Sequence, residues 1–178
     1  IALASLLSGC LFGGGGGDRP PPSTIRPRGG GPITLDLPES AVTRQCRADL
    51  DRAGVRYTPL PDQDYGSGCE VIGAIRLDDI GIPVSGLKAM RCPLAETFYG
   101  WVRYGVAPAA RQVLGSDVVR IVSYGTYACR AIIGGGAASA GKISQHGLAN
   151  AVDIAAFELA DGRRVSVQQG WNATDPRE

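Results

Sequence analysis

Ser144, His146 and Asp153 are the residues of this chain whose types and spacing could do chemistry together. They lie in "KISQHGLANAVDIAAF", residues 142–157, and His146 is the only histidine among 178 residues. An imidazole in a loop and a carboxylate seven positions later on a strand are both metal-ligating types. Asp153 stands between Val152 and Ile154, so the pattern predicts a carboxylate on a buried strand. An unpaired buried carboxylate is costly, and a cation removes that cost. The plainer alternative is a hydrogen-bonded histidine at a loop–strand junction. Ser144 then only caps the loop.

The elements that must position these residues follow from periodicity. "PESAVTRQCRADLDRAGV" predicts a helix with Ala41, Cys46, Leu50 and Ala53 near one stripe, stopped by Gly54. "EVIGAIRLDDIGIPVS" predicts one or two strands turning around Asp78 and Asp79. "CPLAETFYGWVRYGV" predicts a second helix, with Pro93 in its first turn, and "APAARQVLG" a shorter third one ended by Gly115. "DVVRIVSYGTYACRAI" is rich in β-formers and predicts a central strand. A Gly/Ala/Ser-rich loop follows over 134–141; without a Lys-Ser/Thr after it, it is a connector and not a phosphate cradle. "NAVDIAAFELADGRRVSV" predicts a hairpin turning at Asp161-Gly162. Helices first and an antiparallel sheet after them imply an α+β fold, N-terminal helices packed on a small antiparallel sheet.

Composition narrows the partners. Apolar residues make up 44% and charged residues 20%, a globular balance, and the net charge of +1 argues against nucleic acid. The chain opens on Ile, and "IALASLLSGC" resembles the end of a bacterial lipoprotein signal peptide, Leu7-Ser8-Gly9-Cys10 forming a lipobox. That resemblance implies lipidation at Cys10, a membrane anchor and a periplasmic domain. Leu11 after the cysteine favours the outer membrane. Residues 11–33 then form a Gly/Pro-rich tether with a span on the order of 25 Å, and the folded domain is expected over 34–178.

Cys46, Cys69, Cys92 and Cys129 remain once Cys10 is set aside. Behind an export signal, four cysteines read as two disulfides, with three pairings open. The sequential pairing, Cys46–Cys69 and Cys92–Cys129, is the expectation. A four-thiolate zinc site is disfavoured because these spacings are far wider than the usual close Cys-x₂₋₄-Cys pairs.

The central stretch resembles the pattern Ser-x-His-x-x-Gly-x-Ala-x-Asp of the D-Ala-D-Ala carboxypeptidase-type zinc metallopeptidases. It matches at Ser144, His146, Ala151 and Asp153, with Ala149 where the pattern has Gly. "CRADLDRAGVRYTPLP", "CPLAETFYGWV", "PAARQVLG" and "SYGTYACR" together resemble bacterial extensin-like C-terminal domain proteins, exported relatives of those peptidases. The resemblance implies a hedgehog/D-Ala-D-Ala-peptidase-like fold. It implies zinc held by His146 and Asp153, and peptidoglycan stem peptides as substrate. It also implies that Tyr127, Arg130 and Ser144 bind substrate, Arg130 through a carboxylate. Catalytic zinc takes three N/O ligands and leaves a position for water. With no second histidine, and only Glu158, Asp161, Asp175 and Glu178 as later acids, the third ligand and the general base are expected beyond residue 178. The chain therefore reads as a fragment cut at both ends and inactive by itself. Three function classes follow: a zinc-dependent peptidoglycan peptide hydrolase, a non-catalytic wall-binding module, and a disulfide-stapled structural lipoprotein.

Overall fold

The computed structural model of the chain describes residues 31–134 and 136–171. The lipobox with Cys10, the tether up to residue 30, Asp175 and Glu178 lie outside the described residues. No helix among the described residues is long and apolar enough to cross a membrane.

Helix α1, Ala41–Arg52, starts where Ser40 Oγ accepts from the Thr43 N–H at 3.0 Å, a cap contributing about 1 kcal/mol. It buries Thr43, Cys46 and Leu50. The expected stripe ends, Ala41 and Ala53, are exposed: Ala41 opens the first turn and Ala53 is already the cap residue. Helix α2, Cys92–Trp101, has Pro93 at its start and continues through wider turns as far as 114, where Gly115 ends it at φ +67°. The two helices expected from the sequence are thus one rod. Pro108 cannot donate, and the turn before it widens so that the Ala107 N–H reaches Val102 O.

The strands form three small sheets. One joins β1 (Ile33–Thr34), β3 (Gln63–Asp64) and β4 (Glu70–Val71); a second joins β2 (Arg56–Pro59), β5 (Ala74–Asp79) and β7 (Met90–Arg91). The largest runs β10-β9-β8-β6, made of β6 (Val84–Ser85), β8 (Val118–Gly125), β9 (Asp153–Leu159) and β10 (Arg164–Ser166). β8 lies inside this sheet, as its Val/Ile content predicts. Asp78 and Asp79 still belong to β5; Asp79 pairs with Arg56, and the bend comes later, with Gly81 at φ +87°. The sheet is not wholly antiparallel, because β6 pairs with β8 in parallel. The chain between them carries α2, the long crossover that a parallel pair requires. The fold is α+β.

Leu50, Ile75, Met90, Phe98, Val102 and Ile121 fill the main core, each at most 3% exposed. Burying such a side chain contributes about 1.5–3 kcal/mol. The disulfides are Cys46–Cys92 and Cys69–Cys129, with Cα separations of 5.9 and 5.6 Å, so the sequential pairing Cys46–Cys69 and Cys92–Cys129 is wrong. Cys46 faces inward from α1 and meets the first residue of α2, the helix packed against it. Cys69, just before β4, meets Cys129 beyond the end of β8. These bridges close loops spanning 46 and 60 positions, and each stabilises by about 4 kcal/mol in the chain-entropy account.

Candidate functional site

His146 sits in a short 3₁₀ turn, Gln145–Leu148, ahead of β9. Ser144 caps it, its hydroxyl accepting from the His146 N–H at 3.4 Å. Ala149 closes it in the left-handed region at φ +51°, fully buried. A Cβ in that backbone region costs roughly 1–2 kcal/mol. Gly147 lies in a tight place. A Cβ on it would stand 2.6 Å from Ile143 Cγ2 and 3.1 Å from Cys69 Sγ.

The chain after β8 runs beside this turn and holds it. The Ser144 N–H donates to Arg130 O at 2.9 Å, the Ala128 N–H to His146 O at 3.2 Å, and Ala131 bridges to Ile143. Cys129 lies in the middle of that segment, so the Cys69–Cys129 bridge backs the histidine turn. Tyr127 and Arg130, expected on a strand, lie past its end at Gly125. Gly125 adopts φ +137°, and the backbone leaves the sheet there to run beside the turn.

His146 Nε2 and Asp153 Oδ2 stand 3.1 Å apart. His146 is buried at 9% exposure. Asp153 begins β9 but its side chain is 57% exposed, which corrects the expectation of a buried carboxylate. At the strand's first residue the carboxylate reaches water, so burial does not oblige a cation to offset it. The donor set does suit one. An N and an O ligand on one tetrahedral zinc stand about 3.4 Å apart for bond lengths near 2.1 Å, some tenths of an ångström beyond the observed 3.1 Å. The pair supplies two ligands, and among the described residues no third His, Cys, Asp or Glu joins them. Glu158 pairs with Arg120 and Arg164 on the sheet surface, and Asp161 serves its turn by accepting from the Arg163 N–H.

Ser144, His146 and Asp153 are thus brought together, with Tyr127 and Arg130 on the adjoining segment. Arg130 Nη1 makes a 3.4 Å contact to Ala131 O. Tyr127 packs against Tyr65 with ring centroids 5.0 Å apart, and its hydroxyl is buried with no partner among the described residues. Burial, and then Tyr65 beside it, push its pKa up to about 12. Tyr65 escaped the sequence reading; its one signal was its place at the head of "YGSGC", four residues before Cys69. An apolar groove of 390 Å³ between Trp101, Val113, Phe157 and Val165 shares no lining residue with this site.

The family model described as Extensin-like protein C-terminus matches residues 44–178. No curated protein and no solved structure matches the chain.

Proposed function

The chain belongs to the extensin-like protein C-terminus family, and from that premise we propose that it is an exported lipoprotein whose domain is a zinc-dependent hydrolase of peptidoglycan stem peptides. The observation that carries the reading is the convergence of His146 Nε2 and Asp153 Oδ2 at 3.1 Å, one donor held inside and the other open to solvent. His146 is the fixed ligand: the Ser144 cap and the Ala128 and Arg130 backbone bonds leave its turn little freedom. Asp153 is the outward ligand, anchored at the first rung of β9, where it pairs with Gly125. Zinc, when bound, supplies a Lewis acid that polarises an amide carbonyl and acidifies water. In this proposal Tyr127, Arg130 and Ser144 line the peptide's path. The third ligand and the general base come from residues other than the described ones. Lipidation at Cys10 would hold the domain in the periplasm, at the outer membrane, within reach of the wall.

The two-donor set among the described residues favours a second reading, a wall-binding module without chemistry. One experiment separates them. The intact protein is loaded with zinc and incubated with purified sacculi, and released material is read by mass spectrometry. Released amino acid or peptide, with zinc content falling at least tenfold in His146→Ala and in Asp153→Ala, is expected. Sacculus binding with no release under any metal condition refutes the hydrolase and leaves the binding module.

A further inference from the structure

We infer that the outer face of the α2 rod, with the apolar groove beneath it, docks on an anionic phospholipid surface. The groove, 390 Å³ in volume, lies between the rod and the largest sheet, where Trp101 and Val113 stand with Phe157 and Val165. Trp101 forms part of the wall, its ring centroid 5.9 Å from that of Phe98 and 6.1 Å from that of Phe157. The two wider turns of the rod, Val102–Val106 and Ala110–Leu114, supply much of its rod side. Such turns are frequent at functional sites. Gly105, in the first of them, adds no side chain to fill the space.

The lining selects the ligand. No lining side chain except the Trp101 indole carries a hydrogen-bonding group. A sugar or a peptide backbone would leave its polar groups unpaired there, which is costly; an acyl chain has none to pair. Beside the groove Tyr104 is 74% and Val113 58% exposed. Charge then selects the surface. Residues 97–114 carry Arg103 and Arg111 and no acid. Arg111 pairs with Asp117 at 2.9 Å. Arg103 pairs with no acid among the described residues, and its guanidinium lies 5.7 Å from the Tyr104 ring centroid, so it is the stronger attraction for an anion. Trp and Tyr settle where acyl chains meet headgroups, and arginines beside them keep their charge at the phosphates. Apolar anchors with basic neighbours are the pattern of a face that sits at that boundary.

The placement leaves the histidine turn free. β8 runs from Val118, in the groove wall, to Gly125, which pairs with Asp153, a distance of about 23 Å. A bilayer on the rod therefore keeps the His146–Asp153 end of the sheet clear of lipid. A tether spanning on the order of 25 Å gives the domain an effective concentration of roughly mM at the membrane, so a weak patch suffices. That tether rests on the lipoprotein reading under Proposed function, whereas the affinity of the rod for lipid does not.

The test is vesicle binding by the full chain carrying Cys10→Ala, without zinc or sacculi, so that neither acylation nor hydrolysis enters the result. Trp171→Phe is added, which leaves Trp101 as the only tryptophan. Mixed phosphatidylglycerol–phosphatidylcholine vesicles are compared with phosphatidylcholine alone. The anionic vesicles are expected to bind about tenfold more tightly, and bromine on their acyl chains should quench Trp101 emission. Arg103→Gln should weaken that binding about fivefold and leave the phosphatidylcholine value unchanged. Tyr104→Glu and Val113→Glu, both at exposed positions, should each weaken it about tenfold with the melting curve unchanged. The apolar residues 1–7 are common to all these chains, so the differences report the rod. His146→Ala, at the other end of the sheet, should change nothing. Equal affinity for the two vesicles, binding without quenching, or affinity that survives both Tyr104→Glu and Val113→Glu overturns the proposal. So does self-association abolished by Tyr104→Glu in a protein that binds no vesicle, because the face then belongs to a second copy.

Discussion

Gly147→Ala should destabilise the domain even though the backbone there is not in the left-handed region, and the sign is the informative part. By chain entropy alone the substitution would stabilise by about 0.4–1 kcal/mol. The added methyl, however, would stand 2.6 Å from Ile143 Cγ2 and 3.1 Å from Cys69 Sγ. Neither neighbour can yield cheaply. Ile143 Cγ2 sits on a stiff β-branched carbon, and Cys69 Sγ is bonded to Cys129. Overpacking of this kind costs about 1–3 kcal/mol, so the net loss should be about 1–2 kcal/mol. For a domain of this size that is a fall in Tm of roughly 3–8 °C. Relief would come from the turn, because His146 precedes the new methyl, so zinc affinity should drop as well. Gly100→Ala is the internal control. Gly100 lies inside α2 and a Cβ there meets nothing within 4 Å, so the same change should stabilise by about 0.5–1 kcal/mol. Urea unfolding of both variants with disulfides intact decides the matter. Gly147→Ala at or above wild-type stability would refute the packing argument around the histidine turn.

Non-reducing peptide mapping of exported protein should recover Cys46–Cys92 and Cys69–Cys129, and the Cys46→Ala/Cys92→Ala double variant should lose about 2–5 kcal/mol in urea unfolding. Sequential pairs, or the nested pairs Cys46–Cys129 and Cys69–Cys92, would contradict the packing described above. Tyr127 contributes an alkaline dependence of stability. Its folded pKa of about 12 exceeds the free value of 10.0, so its contribution is complete below pH 10 and is lost as pH rises from 10 to 12. Melting curves from pH 9 to 12 should therefore fall less steeply in Tyr127→Phe, and parallel curves would count against a buried phenol. Radioactive palmitate should label the wild type and not Cys10→Ala when each is expressed with its export signal; equal labelling rejects the anchor. Zinc uptake by the intact protein should weaken on acidification, because a protonated imidazole cannot ligate; metal content independent of pH would argue against His146 as a ligand.

Local pattern was enough for the elements with strong local causes. Gly54 stops α1, Pro93 opens α2, and Gly115 ends it, while Asp161-Gly162 turns the last hairpin. The same holds for the histidine motif, whose residues lie within ten positions of one another and meet through one turn and one strand start. The joining of two expected helices into one was not legible, because Pro108 reads as a break unless the turn before it widens. Disulfide pairing was also out of reach: it depends on which elements pack, and Cys46 meets Cys92 only because α1 lies against α2. Asp153 shows the limit within the motif itself. Its apolar neighbours predict burial, yet as the first residue of β9 it is exposed on its side chain. Arg91 carried no motif at all. Its backbone bond to Ala149 at the end of the histidine turn arises because β7 pairs with β5 there, and strand partners distant in sequence are chosen by tertiary packing.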